Sequence, residues 1–303
     1  MDSPSASHTA ADQHRTVPGA AARAETPSGK GARDENFPVG SVLLPARFRP
    51  VVMAFYGFAR AADDIADNPT LSADAKLARL DAMEASLEAD DTSRGAELAR
   101  LLHAHGLDAT HPRALLRAFR QDAVRGRYAS LDELHGYCRM SADPVGRFLL
   151  DLHEGGASKA ALVYRYSDGL CTALQILNHL QDCGKDLMTM DRCYLPGDML
   201  NAAGAEIADL RGPSLTPGLR TVIDRLLDDV DAQLSQAGKL PRALRSRRLA
   251  MESAVIFRLA HRLAARLRRA DPLATRVALS KWDFFTATVC GAVAGFVTGG
   301  RGQ

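Results

Sequence analysis

The sequence predicts an all-α fold, one helical bundle, on three observations. Apolar residues recur at three- and four-residue spacing through nearly every segment beyond residue 35, the period of one helix face. No stretch alternates apolar and polar residues for long, so no sheet is expected. The segments are rich in Ala and Leu and are joined by short turns marked by Gly, Pro or Asn, as in bundles. With 303 residues, 46% hydrophobic and 24% charged, the chain has the balance of a globular protein able to bury one large core.

Residues 1–35 hold almost no large apolar side chain, cannot offset their ordering entropy, and are expected to form a disordered tail. The folded body is expected over 36–298, with 299–303 a flexible end. Phe37 to Pro45 reads as an extended entry. Helices follow at about 47–67, ended by Asn68-Pro69, and at about 72–89, with Leu77, Leu80, Met83 and Leu87 as the apolar stripe. A short helix at about 98–105 is stopped by Gly106. Further helices are expected at about 112–125, 131–140, 143–153 and 157–190. Pro196 to Gly218 reads as a loop enclosing a short helix. Long helices complete the chain at about 219–237, 241–269 and 273–297.

Several classes are excluded. A net charge of +2 and 6% aromatics suit neither a nucleic-acid coat nor a base-stacking platform. Five cysteines without a C-x-x-C pair rule out a disulfide scaffold and suit a reducing cytoplasm. The longest apolar run, Phe284 to Val297, is shorter than the ~18–20 residues of a membrane span, and no secretory signal is visible. No G-x-G-x-x-G opens a βαβ unit, so no nicotinamide site is expected.

Two acidic motifs carry the chemistry. In the first, Tyr56, Arg60, Asp63 and Asp67 step along one helix face. Like charges at this spacing repel, and a hard divalent cation bound by oxygens would relieve them; alone, the motif reads equally as a solvated helix end. In the second, Gln175, Asn178, Asp182 and Asp186 form a polar stripe on a helix that is otherwise apolar nearly all round. Such a helix is buried, so its stripe faces either a hydrogen-bond network or a cavity holding ligand. Face to face, the two stripes could hold magnesium, which keeps several waters and takes further oxygens from phosphate. Arg60 offers a fork for phosphate, and Arg192 and Tyr194 could close over the same anion. This is equipment for ionising an allylic or cyclopropylcarbinyl diphosphate, with apolar walls around Phe55, Phe58, Leu170 and Leu174 for the carbocation.

The patterns A-R-x-x-D-D-x-x-D (from Ala59, through Arg60 to Asp67), Q-x-x-N-x-x-x-D-x-x-x-D (Gln175 to Asp186) and R-x-Y-L-P (Arg192 to Pro196), in this order, resemble the squalene/phytoene synthase family over roughly 36–285. The opening Glu35 to Pro45 is most similar to its bacterial hydroxysqualene synthase branch, of hopanoid biosynthesis. The resemblance implies an all-α isoprenoid-synthase fold around a central cavity and an isoprenoid diphosphate substrate. It implies magnesium at Asp63, Asp67, Asn178 and Asp182, with Asp186 and Gln175 in the same cluster. It implies diphosphate contacts from Arg60, Arg192 and Tyr194, and a cavity lined by Tyr56 and Tyr137. Of the polar groups on the facing stripes, Tyr137 or Asn178 could hold the water that captures the cation. The resemblance also implies that a presqualene diphosphate synthase and a flavin-dependent reductase work beside the protein. Lys185 departs from the family, where many relatives carry Glu.

The activity so implied is ionisation of presqualene diphosphate, rearrangement, and water capture to hydroxysqualene without NAD(P)H. A head-to-head prenyltransferase would use the same cluster. A non-catalytic relative of the complex I assembly type should have lost some of the four acids, and none is lost here. Asp122 and Tyr128 match a family stretch near the site mouth or an ordinary helix end. His179 reads as a core histidine. The Arg-rich stretch from Lys239 to Lys281 is a solvated face or a peripheral contact with anionic lipid at the inner face of the membrane.

Overall fold

The computed structural model describes residues 44–155 and 161–298. After a 3₁₀ turn at Ala46–Phe48 come α1 (Arg49–Ala66), α2 (Ala73–Ser86), α3 (Arg94–Ala104), α4 (Thr110–Val124), α5 (Leu131–Ser141) and α6 (Asp143–Glu154). Then follow α7 (Ala161–Met190), α8 (Gly197–Ala202), a 3₁₀ turn at Ile207–Arg211, α9 (Pro217–Ala237), α10 (Leu240–Ala243), α11 (Arg247–Leu267) and α12 (Lys281–Thr298). The described residues contain no strand; the one isolated bridge joins Arg127 and Cys193. The all-α expectation holds.

The helix starts are written in local chemistry. Ser72, Ser93, Ser130, Thr216 and Ser246 each accept a hydrogen bond from the backbone N–H three residues on, opening α2, α3, α5, α9 and α11. Such a cap satisfies one of the orphan donors of the first turn. Gly106 (φ 70°) and Gly155 (φ 62°) turn the chain in the left-handed region just past α3 and at the end of α6.

Two apolar clusters form the core. One is built by α1–α4 with Phe148 and Leu152 of α6, the other around α7, α9 and α11. The seam between them runs along α1, α6 and α7, where Phe55 stacks on Phe148 at 4.1 Å.

Several boundaries differ from the sequence reading. α3 starts at Arg94 because Ser93 caps it. The helix expected over 241–269 is two helices, since the Glu154 carboxylate accepts the N–H groups of Arg245 and Ser246 and holds them out of helical pairing. Residues 272–280 are irregular: Pro272 follows α11, and Asp271 caps the turn through the N–H groups of Leu273 and Ala274. The tail at 1–35, the entry up to residue 43, the first turn of the 157–190 helix and the end at 299–303 lie outside the described residues.

Candidate active site

On α1 the stripe Tyr56, Arg60, Asp63, Asp67 lies beside the buried stripe Val51, Phe55, Phe58, Ala62, Ile65. Burying the second stripe fixes where the first points. On α7, Gln175, Asn178, Asp182 and Asp186 are framed by the buried Ala173, Ile176, Leu177 and Leu180. The two stripes border one cavity of about 360 Å³. Val52, Phe55, Phe148, Leu170, Leu174 and Leu244 form much of its wall; Tyr56, Gln175 and Asn178 also line it. Those three precede the acids on their helices, so the cavity is polar at the end nearer the carboxylates.

The carboxylates are densely placed. Arg60 pairs with Asp63 at 2.9 Å and with Asp64 at 2.7 Å. Burial pushes the Asp63 carboxyl up to about 7, and Asp67 adds to the rise while Arg60 opposes it. Burial and the neighbouring Asp182 push Asp186 up to about 7, Lys185 opposes, and Asp67 of the other motif adds its repulsion. The motifs thus feel each other's charge across the cleft.

Arg192 ties them together. Its Nη1 meets Asp67 Oδ1 at 2.5 Å, and its Nη2 donates to the carbonyls of Ala66 (3.0 Å) and Asp122 (3.1 Å). Only 6% of this arginine is exposed. The segment before it is shaped by Asp191 in the left-handed region (φ 51°), and Cys193 N–H donates to Gly126 O at 2.8 Å. Behind Arg192, Asp122 accepts from Tyr137 Oη at 2.8 Å and from Tyr194 Oη at 3.4 Å. The Tyr194 ring stacks on His179 at 3.5 Å, and Gln175 Nε2 donates to His179 Nε2 at 3.1 Å. Burial pushes His179 down to about 3, so it is a neutral core imidazole, as expected.

The structure brings Tyr56, Gln175 and Asn178 to the cavity and Asp63, Asp67, Asp186 and Arg192 to one cluster. Asp182 lies at its edge with 48% of its side chain exposed, 3.8 Å from Lys185. Three placements differ from expectation. Tyr137 does not line the cavity; its hydroxyl is drawn to Asp122. Phe58 is buried in the first core cluster rather than in the cavity wall. The guanidinium of Arg192 and the hydroxyl of Tyr194 are engaged by the protein itself. Asp122, which joins α4, α5 and the 192–194 segment, is more than a helix end: burial pushes it to about 7 while Arg192 opposes the rise. Two features went unread in the sequence. Glu252 of α11 lines the cavity, and half-buried Lys76 of α2 is near enough to Arg192 and Asp67 to feel both. Neither sits in a motif, so only the fold reveals them.

Among the described residues no three His, Cys, Asp or Glu side chains form a ready metal cage. Magnesium does not require one, since it takes one or two carboxylates and fills its octahedron with water and phosphate oxygens. Paired carboxylates whose protonation is favoured by burial and then by mutual repulsion, with amides alongside, are a donor set that fits this ion.

The squalene/phytoene synthase family model matches residues 31–283. The hydroxysqualene synthase of Zymomonas mobilis is 44% identical over 254 residues, 82% of this chain and 84% of the relative. That of Rhodopseudomonas palustris is 42% identical, over 87% and 90%. The crystal structure of squalene synthase HpnC from Alicyclobacillus acidocaldarius superposes with a TM-score of 0.68 at 30% identity, over 76% of this chain and 87% of that one. A motif pair on facing helices, an apolar cavity between them and these likenesses agree: the chain belongs to the squalene/phytoene synthase family of enzymes.

Proposed function

We propose that the protein ionises presqualene diphosphate, guides rearrangement of the cyclopropylcarbinyl cation to the head-to-head skeleton, and lets water capture it, giving hydroxysqualene and diphosphate. The observation that carries this reading is an apolar cavity whose polar end, Tyr56, Gln175 and Asn178, leads along α1 and α7 to the two acidic motifs. The similarity to relatives named hydroxysqualene synthase supports this branch over a prenyltransferase. Asp63, Asp67, Asn178 and Asp182 would hold magnesium, with Asp186 and Gln175 beside them. When bound, the ion supplies charge to offset the departing diphosphate.

The chain's own residues do the rest. Arg60 is placed to share its guanidinium between Asp63 and the diphosphate oxygens, and Lys76 is a second cation at this end of the site. Arg192 holds Asp67 in place, while Asp122, Tyr137 and Tyr194 brace Arg192 and the segment that carries it. Phe55, Leu170 and Leu174 wall the cation away from bulk water. Asn178, polar and on the cavity side of the acids, would face the ion with its amide oxygen and orient the one water that attacks with its amide N–H. That water loses a proton as its oxygen bonds to carbon, so water and diphosphate ester become alcohol and free diphosphate. No nicotinamide takes part. A separate synthase would supply the substrate, and a flavin-dependent reductase would consume the alcohol.

The test is incubation of the full chain with presqualene diphosphate and magnesium in ¹⁸O-labelled water. The label should appear in the product hydroxyl, chelation of magnesium should stop turnover, and added NADPH should change nothing. Diversion to squalene by NADPH, or consumption of farnesyl diphosphate alone, would replace this reading with a complete squalene synthase or a transferase.

A further inference from the structure

α12 has two unlike faces. One is docked on α11: Gly291 lies so close that a Cβ there would meet the Val255 backbone at 2.7 Å, and Arg262 donates to Asp283 O at 2.7 Å. These contacts set α12 antiparallel to α11. The other face carries Trp282, Phe285, Val289 and Val293, which are 69%, 58%, 49% and 62% exposed. Their spacing of three, four and four residues makes one continuous apolar stripe, and the Trp282 and Phe285 rings stack at 5.4 Å.

The charges around the stripe have one sign. Lys281 precedes it and is exposed. Arg258 is exposed on the α11 row, Val255, Arg258, Arg262, that borders α12. The one acid of α12, Asp283, is turned back to Ser280 and Arg266. An aromatic pair beside cations, on a helix packed closely against α11, is the make-up of a segment lying flat in a lipid headgroup layer. No described helix is long and apolar enough to cross a membrane. The stripe exposes roughly 450 Å² on the basis of ~150–250 Å² per large side chain, well short of the ~800 Å² per partner of a standard interface, which disfavours a second copy.

The stripe also leads to the cavity. Ser246, just before α11, lies by His153 near the end of α6, and α11 then contributes Leu249, Glu252 and Ile256 to the cavity wall. Since Gly291 pairs with Val255, the stripe runs from Trp282 toward the level of these residues, the end of the cavity away from the carboxylates.

We propose that α12 docks the protein on an anionic phospholipid surface through Trp282, Phe285, Val289 and Val293, setting the apolar end of the cavity beside the bilayer. Docking rests on the stripe and its charges; only the idea that an isoprenoid passes between cavity and bilayer rests on the function proposed above. This places the membrane contact on α12 rather than on the basic run at large. Within that run Arg262 and Arg266 pair with Asp283, and Arg268 pairs with Asp228 and Asp231.

Trp282 is the single tryptophan of the chain, so its fluorescence reports this face alone. The full chain is mixed with vesicles of phosphatidylcholine, with and without phosphatidylglycerol, and with lipids brominated on the acyl chain. Emission should shift to the blue and be quenched by the brominated lipid, with partition about thirtyfold stronger into the anionic vesicles, as two nearby cations imply. F285S/V289S should lower partition at least about tenfold while thermal melting and turnover of detergent-dispersed substrate stay unchanged. Three outcomes overturn the proposal: no shift with any vesicle; emission already blue and shielded from iodide without lipid, which would mean the chain covers its own stripe; or a lipid-free mass that doubles and falls back in F285S/V289S, which would mean a second copy does. Turnover is assayed apart from vesicles, so failure of docking and failure of the proposed activity are told apart.

Discussion

The guanidinium of Arg192 is bonded to the carboxylate of Asp67, a residue 125 positions earlier, and so joins the end of α1 to the segment after α7. The same side chain satisfies two backbone carbonyls. Lysine offers one compact ammonium in place of this fork and cannot reach all three acceptors. Arg192→Lys should therefore lower stability by about 2–4 kcal/mol, the cost of leaving mostly buried acceptors under-satisfied, and cut turnover. Urea unfolding followed by circular dichroism measures the first effect. A loss below about 0.5 kcal/mol would mean that the bond is not structural.

Asp63→Asn and Asp182→Asn should each reduce turnover of presqualene diphosphate at least about a hundredfold and leave the fold intact. Each removes one negative donor from the cluster proposed above to hold magnesium against diphosphate. Near wild-type rates at limiting magnesium in either variant would refute the two-motif site.

Asp63 and Asp186 both sit near 7, above the ordinary 3.8 of an aspartate. The folded protein keeps protons on these groups that the unfolded chain releases. Their contribution to stability is complete below about pH 4 and is lost as pH rises through about 7. Asp122 and Asp143 act in the same direction. Asp186→Asn should therefore gain stability relative to wild type as pH is raised from about 4 to 7. Parallel curves from unfolding titrations at several pH values would contradict the assignment.

Gly126→Ala tests how the 191–194 segment is held. A Cβ at 126 would lie 2.6 Å from the Asp191 carbonyl oxygen, a backbone atom with little room to retreat. The substitution should cost about 1–3 kcal/mol, as overpacking does, and displace Arg192 from Asp67. Reduced activity should accompany the lower melting temperature; a drop in neither would show that the segment shifts freely.

Much of this was legible in the residues. The acidic motifs lie on uninterrupted helices, where position in sequence fixes position on a face, so Asp63, Asp67, Asn178 and Asp186 could be assigned to a common cleft. Long-range partners were not legible. Nothing near Tyr137 announces Asp122 as its acceptor, and nothing near Arg192 announces that Asp67 and two carbonyls will occupy it. Likewise the break at Leu244–Ser246 depends on Glu154, some ninety residues away, while local propensity favours a continuous helix.

α7 carries the cavity wall from Ser167 to Asn178 and acids at Asp182 and Asp186, all on one rigid rod. At about 1.5 Å per residue the distance from the apolar end of the cavity to the carboxylates is counted out in amino acids. A single inserted residue between Ser167 and Asp182 would turn everything beyond it by about 100° and swing the acids out of the cleft. Insertions and deletions in this interval are therefore closed to the lineage. Descendants that accept a longer or shorter hydrocarbon must do so by exchanging side-chain bulk at Ser167, Leu170, Cys171 or Leu174, moving the floor of the cavity while the register of the rod stays as it was.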